Sequence, residues 1–169
     1  LELIEDITDL RTVVIPLGGG GLAGGTAIAL KMHDPTIRVI GVQVSACAPY
    51  ANTPAPEGPV VTLADGIAVK KPGAVTRPII EHFLDDIVVV EEDDVADAMI
   101  LLMERGKLLV EGAGAGAPSR NTGRTSLVVV RAHPRPTGRS GAVAHIARGS
   151  RREPHRSGTR ARGRRSART

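Results

Sequence analysis

The sequence predicts an α/β fold built on a parallel sheet. Three observations carry the prediction. Residues 12–15 and 37–44 are short, almost wholly apolar runs, as strands buried on both faces must be. Residues 22–32, between them, read as a helix rich in small residues, which makes a βαβ unit with a right-handed crossover. The same alternation then repeats as a helix over 75–84, a strand over 86–91 and a helix over 93–105.

Taken in order, residues 1–6 read as the end of a helix, with Leu3 and Ile4 apolar beside acids. A chain opening there without Met is expected to lack its true N-terminal part. Strand 12–15 leads through Pro16 and Leu17 into four consecutive glycines, Gly18, Gly19, Gly20 and Gly21, and a helix beginning near Leu22. Four glycines contribute no packing and cost backbone entropy, so their use is to let the backbone approach something closely. At a helix start, free N–H groups and the positive dipole end favour an anion, most often a phosphate.

Ala23, Gly24, Gly25, Ala27 and Ala29 let the second helix pack closely on a sheet, and Asp34-Pro35 stops it. Pro49, Pro54, Pro56 and Pro59 mark a long loop that meets Ala64-Asp65-Gly66. Helix 75–84 carries Pro78 in its first turn. Helix 93–105 has Glu92, Asp93 and Asp94 at its positive end and Arg105 and Lys107 at its negative end, with Gly106 placed for a left-handed cap. Val95, Ala98, Met99, Leu102 and Met103 form its apolar side, the two methionines as core filling.

The kind of phosphate ligand can be narrowed. Gly19, Gly21 and Gly24 satisfy G-x-G-x-x-G, but the dinucleotide fingerprint also wants an acid at the end of the next strand, where Gln43, Val44 and Ser45 stand. No Gly-Lys-Ser/Thr follows the glycines, which excludes a nucleoside-triphosphate loop. A smaller phosphate ester remains.

Residues 15–22, Ile-Pro-Leu-Gly-Gly-Gly-Gly-Leu, resemble the phosphate-binding loop of pyridoxal-phosphate enzymes of fold type II, in particular threonine dehydratase (threonine ammonia-lyase), with serine dehydratase and serine racemase close by. Residues 37–43, 62–69 (Thr-Leu-Ala-Asp-Gly-Ile-Ala-Val) and 110–115 (Val-Glu-Gly-Ala-Gly-Ala) match in the same order. The resemblance implies a three-layer doubly wound parallel sheet, the large-domain portion of that fold, over residues 1–117. It implies pyridoxal 5'-phosphate as cofactor, an amino-acid substrate (threonine or serine) and a homo-oligomer.

By position, Gly18, Gly19, Gly20, Gly21 and Leu22 would offer N–H groups to the cofactor phosphate. Ala64, Asp65, Gly66, Glu111 and Gly112 would line the pocket near the ring, although a carboxylate capping its own loop explains Asp65 and Glu111 equally well. The family's Schiff-base lysine, its substrate-carboxylate loop and an Asn touching the cofactor all lie upstream of the glycine loop, in segments these 169 residues do not contain. No catalytic residue is therefore assigned, and the chain as given is expected to be inactive. Lys31, Lys70, Lys71 and Lys107 do not match the Schiff-base context, and Lys70 and Lys71 read as a solvated pair. Some relatives hold a divalent cation with acids after the second strand. Gln43, Cys47 and Pro49 stand there and His33, His82, His133, His145 and His155 lack ligand spacing, so no metal is expected.

Composition changes abruptly near Pro118. Residues 1–118 hold eight of the 22 Lys and Arg and 17 of the 18 acids, net −9; residues 119–169 hold fourteen Arg, no Lys and one acid, Glu153, net +13. Residues 118–169 are read as a basic low-complexity tail, disordered for want of apolar residues except for a strand at 127–130. A rival function starts from this tail: Arg151-Arg152 and the arginines of 160–165 would neutralise nucleic-acid phosphates. With no aromatic residue but His after 118, only non-specific attraction is expected. No apolar run approaches the ~20 residues of a membrane span and no signal-peptide pattern opens the chain. The single Cys47 suits a reducing compartment, so a cytoplasmic setting is expected.

The Arg, Pro, Gly, Ala and Ser that dominate from about residue 117 are what a shifted reading of GC-rich codons yields, in place of the family's helix, strand and Ser-Gly-Gly-Asn-type turn. Translating the other two frames of the gene over this segment is expected to restore such a turn. Its absence from both frames overturns the frameshift reading.

Overall fold

The computed structural model describes residues 2–7, 10–118, 126–134 and 140–148. Helix α1 (Glu2–Asp6) precedes strand β1 (Thr12–Pro16), helix α2 (Gly21–His33) and strand β2 (Arg38–Val44). Two short 3-10 turns, Pro49–Ala51 and Asp65–Ile67, punctuate the long loop to helix α3 (Thr76–Phe83). Strand β3 (Asp86–Val90), helix α4 (Glu92–Gly106) and the one-turn helix α5 (Gly112–Ala115) follow.

Strands β1, β2 and β3 form a parallel sheet in that order, with Thr12 opposite Arg38 and Ile40 opposite Asp86. The two faces of the sheet separate by residue parity, as the period-2 pleat requires. Val13, Ile15, Leu17 and Val39 face one core with Ala23, Ala27 and Leu30 of α2 and Ile80 of α3. Val14, Ile40, Val42 and Val44 face the other, with Val95 and Ala98 of α4 and Ala113 and Ala115 of α5. Helices cover both faces, so the three-layer doubly wound arrangement expected from the family holds. Gly41 falls on the first face, where a Cβ would stand 2.8 Å from methyl carbons of both Leu17 and Leu84. That position has room only for hydrogen.

Glu91 and Asp94 form a reciprocal capping box at the start of α4, and Glu92, Asp93 and Asp94 occupy its first turn, as the dipole favours. Two expectations for α4 are corrected. Gly106 stays helical and the left-handed cap falls one residue later, on Lys107 (φ 53°), whose Nζ donates to the Glu104 carbonyl at 2.9 Å. Met99 and Leu102 pack on the second core with Val95 and Ala98, but Met103 is half exposed.

Strands β4 (Ser126–Pro134) and β5 (Ser140–Arg148) pair antiparallel as a second sheet, and β4 runs beside β1. β4 takes in the strand expected at 127–130. The partner β5 was not expected, although Val143 and Ile146 supply strand propensity within it. Residues 119–125, 135–139 and 149–169 lie outside the described residues, and with them Arg151, Arg152 and the arginines of 160–165. Among the described residues no helix is long and apolar enough to cross a membrane.

A carboxylate outside the hydrophobic cores ties layers together. Asp85, just before β3, accepts from the Val39 N–H at 2.6 Å and from Lys31 Nζ of α2 at 2.8 Å, while its own N–H donates to the Val39 carbonyl. Burial alone would raise the Asp85 carboxyl. The hydrogen bonds from Lys31 and Val39 and the charges of Lys31 and Arg38 together outweigh burial and hold it below the usual carboxylate value. The stabilisation this provides is complete above the unfolded value of about 4 and is lost as pH falls through the lower folded value. Asp85→Asn is expected to cost about 1 kcal/mol at pH 7, the partial exposure of the pair limiting the loss. Urea unfolding of both proteins from pH 7 to pH 2 should show the difference shrinking through the acid limb.

Candidate functional site

The glycine run stands at the carboxyl end of β1, where open α/β sheets bind ligands. A cavity of about 220 Å³ opens there, lined by Pro16, Gly18, Gly19, Gly20, Gly21, Leu22 and Ala23 on one side and Gly66, Ile67, Glu111, Ala113 and Gly114 on the other. Of the residues expected at the site, the structure thus gathers Gly18, Gly19, Gly20, Gly21, Leu22, Gly66 and Glu111 around one space. Ala64 and Asp65 do not line it: Ala64 is buried in the second core, and Asp65 is exposed on the neighbouring 3-10 turn, its carbonyl accepting from the Ala68 N–H. Glu111 is the single ionisable side chain in the lining and the N-cap residue of α5, its carbonyl accepting from the Ala115 N–H.

Gly20 is the N-cap of α2 in the left-handed conformation, φ 91° and ψ −6°. No side chain caps this helix and no acid sits in its first turn. The N–H groups of its first residues therefore remain for a ligand, at the positive end of a 13-residue helix. Gly20 is required twice over. Its φ suits glycine, and a Cβ would stand 2.5 Å from the Tyr50 hydroxyl oxygen. Gly21 is the opposite case, with nothing within 4 Å of where its Cβ would be. An open, uncapped, glycine-built helix start beside a cavity fits a phosphate ester.

Polar groups behind the loop hold it in place. Gln43, fully buried on β2, donates through Nε2 to the Leu17 carbonyl at 3.1 Å and accepts the Tyr50 N–H at Oε1 at 2.9 Å. The Gly19 carbonyl accepts from the Thr76 hydroxyl at 2.6 Å and from the Tyr50 hydroxyl at 3.2 Å. Sequence reasoning missed Tyr50 and Thr76, which stand 31 and 57 residues from Gly19. Gln43 did leave a signal, as the one polar side chain in the otherwise apolar stretch of residues 39–44.

The opposite wall is clamped from α4 and α5. Glu92 accepts from the Thr62 hydroxyl at 2.5 Å and the Leu63 N–H at 2.9 Å, and Ser45 donates to Glu91 at 2.6 Å. A Cβ on Gly112 would stand 2.0 Å from the Leu63 carbonyl oxygen, so α5 lies directly against this loop. Gly112 thus serves packing here and is not part of the lining.

None of the four lysines lines the cavity. Lys31 pairs with Asp85, Lys70 donates to the Gly58 carbonyl, Lys107 caps α4 and Lys71 is exposed. Cys47 is buried, and burial pushes its thiol up against a smaller opposing pull from Lys70, so it is no activated nucleophile. Among the described residues no cluster of three His, Cys, Asp or Glu could hold a metal ion.

Several known proteins are similar to this chain in sequence, and several solved structures are similar to it in fold. L-Threonine ammonia-lyase of Geobacter sulfurreducens is 48% identical over 121 residues, covering 68% of this chain and 30% of that protein. The catabolic L-threonine dehydratase of Escherichia coli K12 is 44% identical over 120 residues, 68% of this chain and 36% of that protein. Among solved structures, the T.th. threonine deaminase superposes with a TM-score of 0.65 at 32% identity, covering 70% of this chain and 41% of that one. Maize serine racemase gives a TM-score of 0.65 at 31% identity, with 70% and 38% covered. The chain thus spans about a third of the length of the sequence relatives it matches. The family described as pyridoxal-phosphate dependent enzyme matches residues 1–119, which takes in the parallel sheet, the glycine loop and both walls of the cavity, and the chain belongs to that family.

Proposed function

We propose that residues 1–117 are part of the catalytic domain of a pyridoxal-phosphate-dependent lyase acting on threonine, and that this part seats the cofactor's phosphate. The observation that carries the reading is the uncapped start of α2 opening into the cavity between glycines 18–21 and Gly66–Glu111. Gly20, Gly21 and Leu22 would donate N–H groups to the phosphate, and the α2 dipole would favour its charge. Gly18, whose Cβ would stand 3.1 Å from the Ile67 Cα, lets the loop close against the far wall. Gly66 and Glu111 would border the ring. When bound, pyridoxal phosphate supplies an electron sink for a carbanion at the substrate α-carbon.

Threonine is favoured over serine by the sequence relatives: those at 44–48% identity are named for threonine. The fold does not separate the two, since a serine racemase and a threonine deaminase superpose equally well. The overall reaction of the lyase reading is threonine to 2-oxobutanoate and ammonia. Cys47, a free and buried thiol, goes with a cytoplasmic setting.

Two outcomes are expected. Titrating the 169-residue chain with pyridoxal 5'-phosphate should show binding that inorganic phosphate competes away, while borohydride reduction and peptide mapping should find no adduct concentrated on one lysine. A single trapped lysine would overturn the assignment of a cradle without its lysine, and binding insensitive to phosphate would overturn the loop assignment. In unfolding measurements Gly20→Ala should cost about 2–3 kcal/mol, from left-handed strain and the Tyr50 clash. Gly21→Ala, at an open helical position, should be neutral or stabilising by up to about 1 kcal/mol.

A further inference from the structure

We propose that Tyr50 and Thr76 are positioning residues that fix the Gly19–Gly20 peptide with its N–H toward the cavity, and so make Gly20 a donor to the phosphate ester. The proposal rests on the phosphate reading above and goes beyond it, because it assigns the orientation of one peptide plane to two side chains outside the cavity lining.

In a trans peptide the C=O and the next N–H point in opposite directions. The Gly19 carbonyl is held by the Thr76 hydroxyl at 2.6 Å and the Tyr50 hydroxyl at 3.2 Å, and those hydroxyls lie 3.2 Å from each other. Tyr50 is itself fixed, buried and anchored through its N–H to Gln43. The carbonyl is therefore turned into the protein and the Gly20 N–H away from it, on the side where Gly19, Gly20 and Gly21 line the cavity. Gly20 is left-handed and Gly21 begins the right-handed helix, a succession that makes neighbouring N–H groups converge on an anion.

Without the two hydroxyls this peptide would have little to hold it. A flip needs opposite rotations about ψ of residue 19 and φ of residue 20, and glycine at both positions permits them. After a flip a carbonyl oxygen would face the phosphate where a donor had been. The hydroxyls thus decide whether this part of the loop attracts or repels an anion. Thr76 opens α3 and Tyr50 lies in the first 3-10 turn, so two separate segments converge on one carbonyl.

The test uses the full 169-residue chain labelled with ¹⁵N, and titrations with inorganic phosphate and with pyridoxal 5'-phosphate. Wild type, Tyr50→Phe, Thr76→Val, the double variant and Thr76→Ser are compared by amide spectra and by unfolding midpoint. Phosphate should shift the Gly20 amide in wild type. The double variant should bind both ligands about tenfold more weakly while still folded at the measuring temperature, and its free-state Gly20 amide resonance should already be displaced. Thr76→Ser, which keeps the hydroxyl, should restore affinity and resonance. A lower midpoint with unchanged affinity and an unchanged Gly20 resonance would show a merely structural role and overturn the proposal. If the double variant does not fold, Tyr50→Phe and Thr76→Ser decide alone, Phe weakening binding and Ser not. Wild type whose glycine-loop amides ignore both ligands would instead sink the phosphate reading, and the positioning role with it.

Discussion

The side chain of Gln43 is completely buried and uses both ends of its amide. Nε2 reaches the Leu17 carbonyl at the exit of β1, and Oε1 takes the N–H of Tyr50. A buried amide left unpaired costs about 1–3 kcal/mol, so both partners are held where the amide puts them. Leu17 is the residue before the glycines, and Tyr50 carries the hydroxyl behind Gly19. The centre of the sheet therefore sets both where the loop leaves β1 and what stands behind it. An aliphatic residue at position 43 would pack, but it would fix neither.

Elsewhere a few carboxylates serve as loop anchors. Asp85 binds β2 to the start of β3 and reaches α2 through Lys31. Glu91 and Glu92 hold Ser45 and the 62–63 segment to the start of α4. The Glu92 contact bears on the site, because the segment it holds leads into Gly66 and Ile67 of the cavity wall. The cavity thus has a wall of glycine backbone backed by hydroxyls and an amide, and a wall of loop backed by a carboxylate. Hydrophobic packing supplies the two cores, and these polar ties supply the register of the loops between them.

The glycine loop and the order of elements were legible because each has a local cause. Four glycines between an apolar strand and a helix have few physical explanations. Strand and helix identities followed from burial on both faces and from helical spacing. Where a reading depended on what lay opposite, it slipped. Met103 matched the helical period yet is half exposed, while Met99 and Leu102 beside it pack on the core. Gly106 suited a left-handed cap, and Lys107 took it with its own side chain on the last turn. Asp65 shared a segment with Gly66 but is exposed beside the cavity, since successive residues of a tight turn point in different directions.

By itself the sequence determined the α/β class, the parallel sheet, the glycine-built start of α2 and the family, all of which depend on residue type and spacing along the chain. Tertiary structure alone decided that Asp65 and Gly112 fall outside the cavity that Gly66 and Glu111 share with the glycines, and that Tyr50 and Thr76 meet at the Gly19 carbonyl. The reason is distance along the chain. Thr76 lies 57 residues from Gly19, and a contact across that separation exists only after β2 and α3 have docked on β1 and α2, which no local period or propensity encodes.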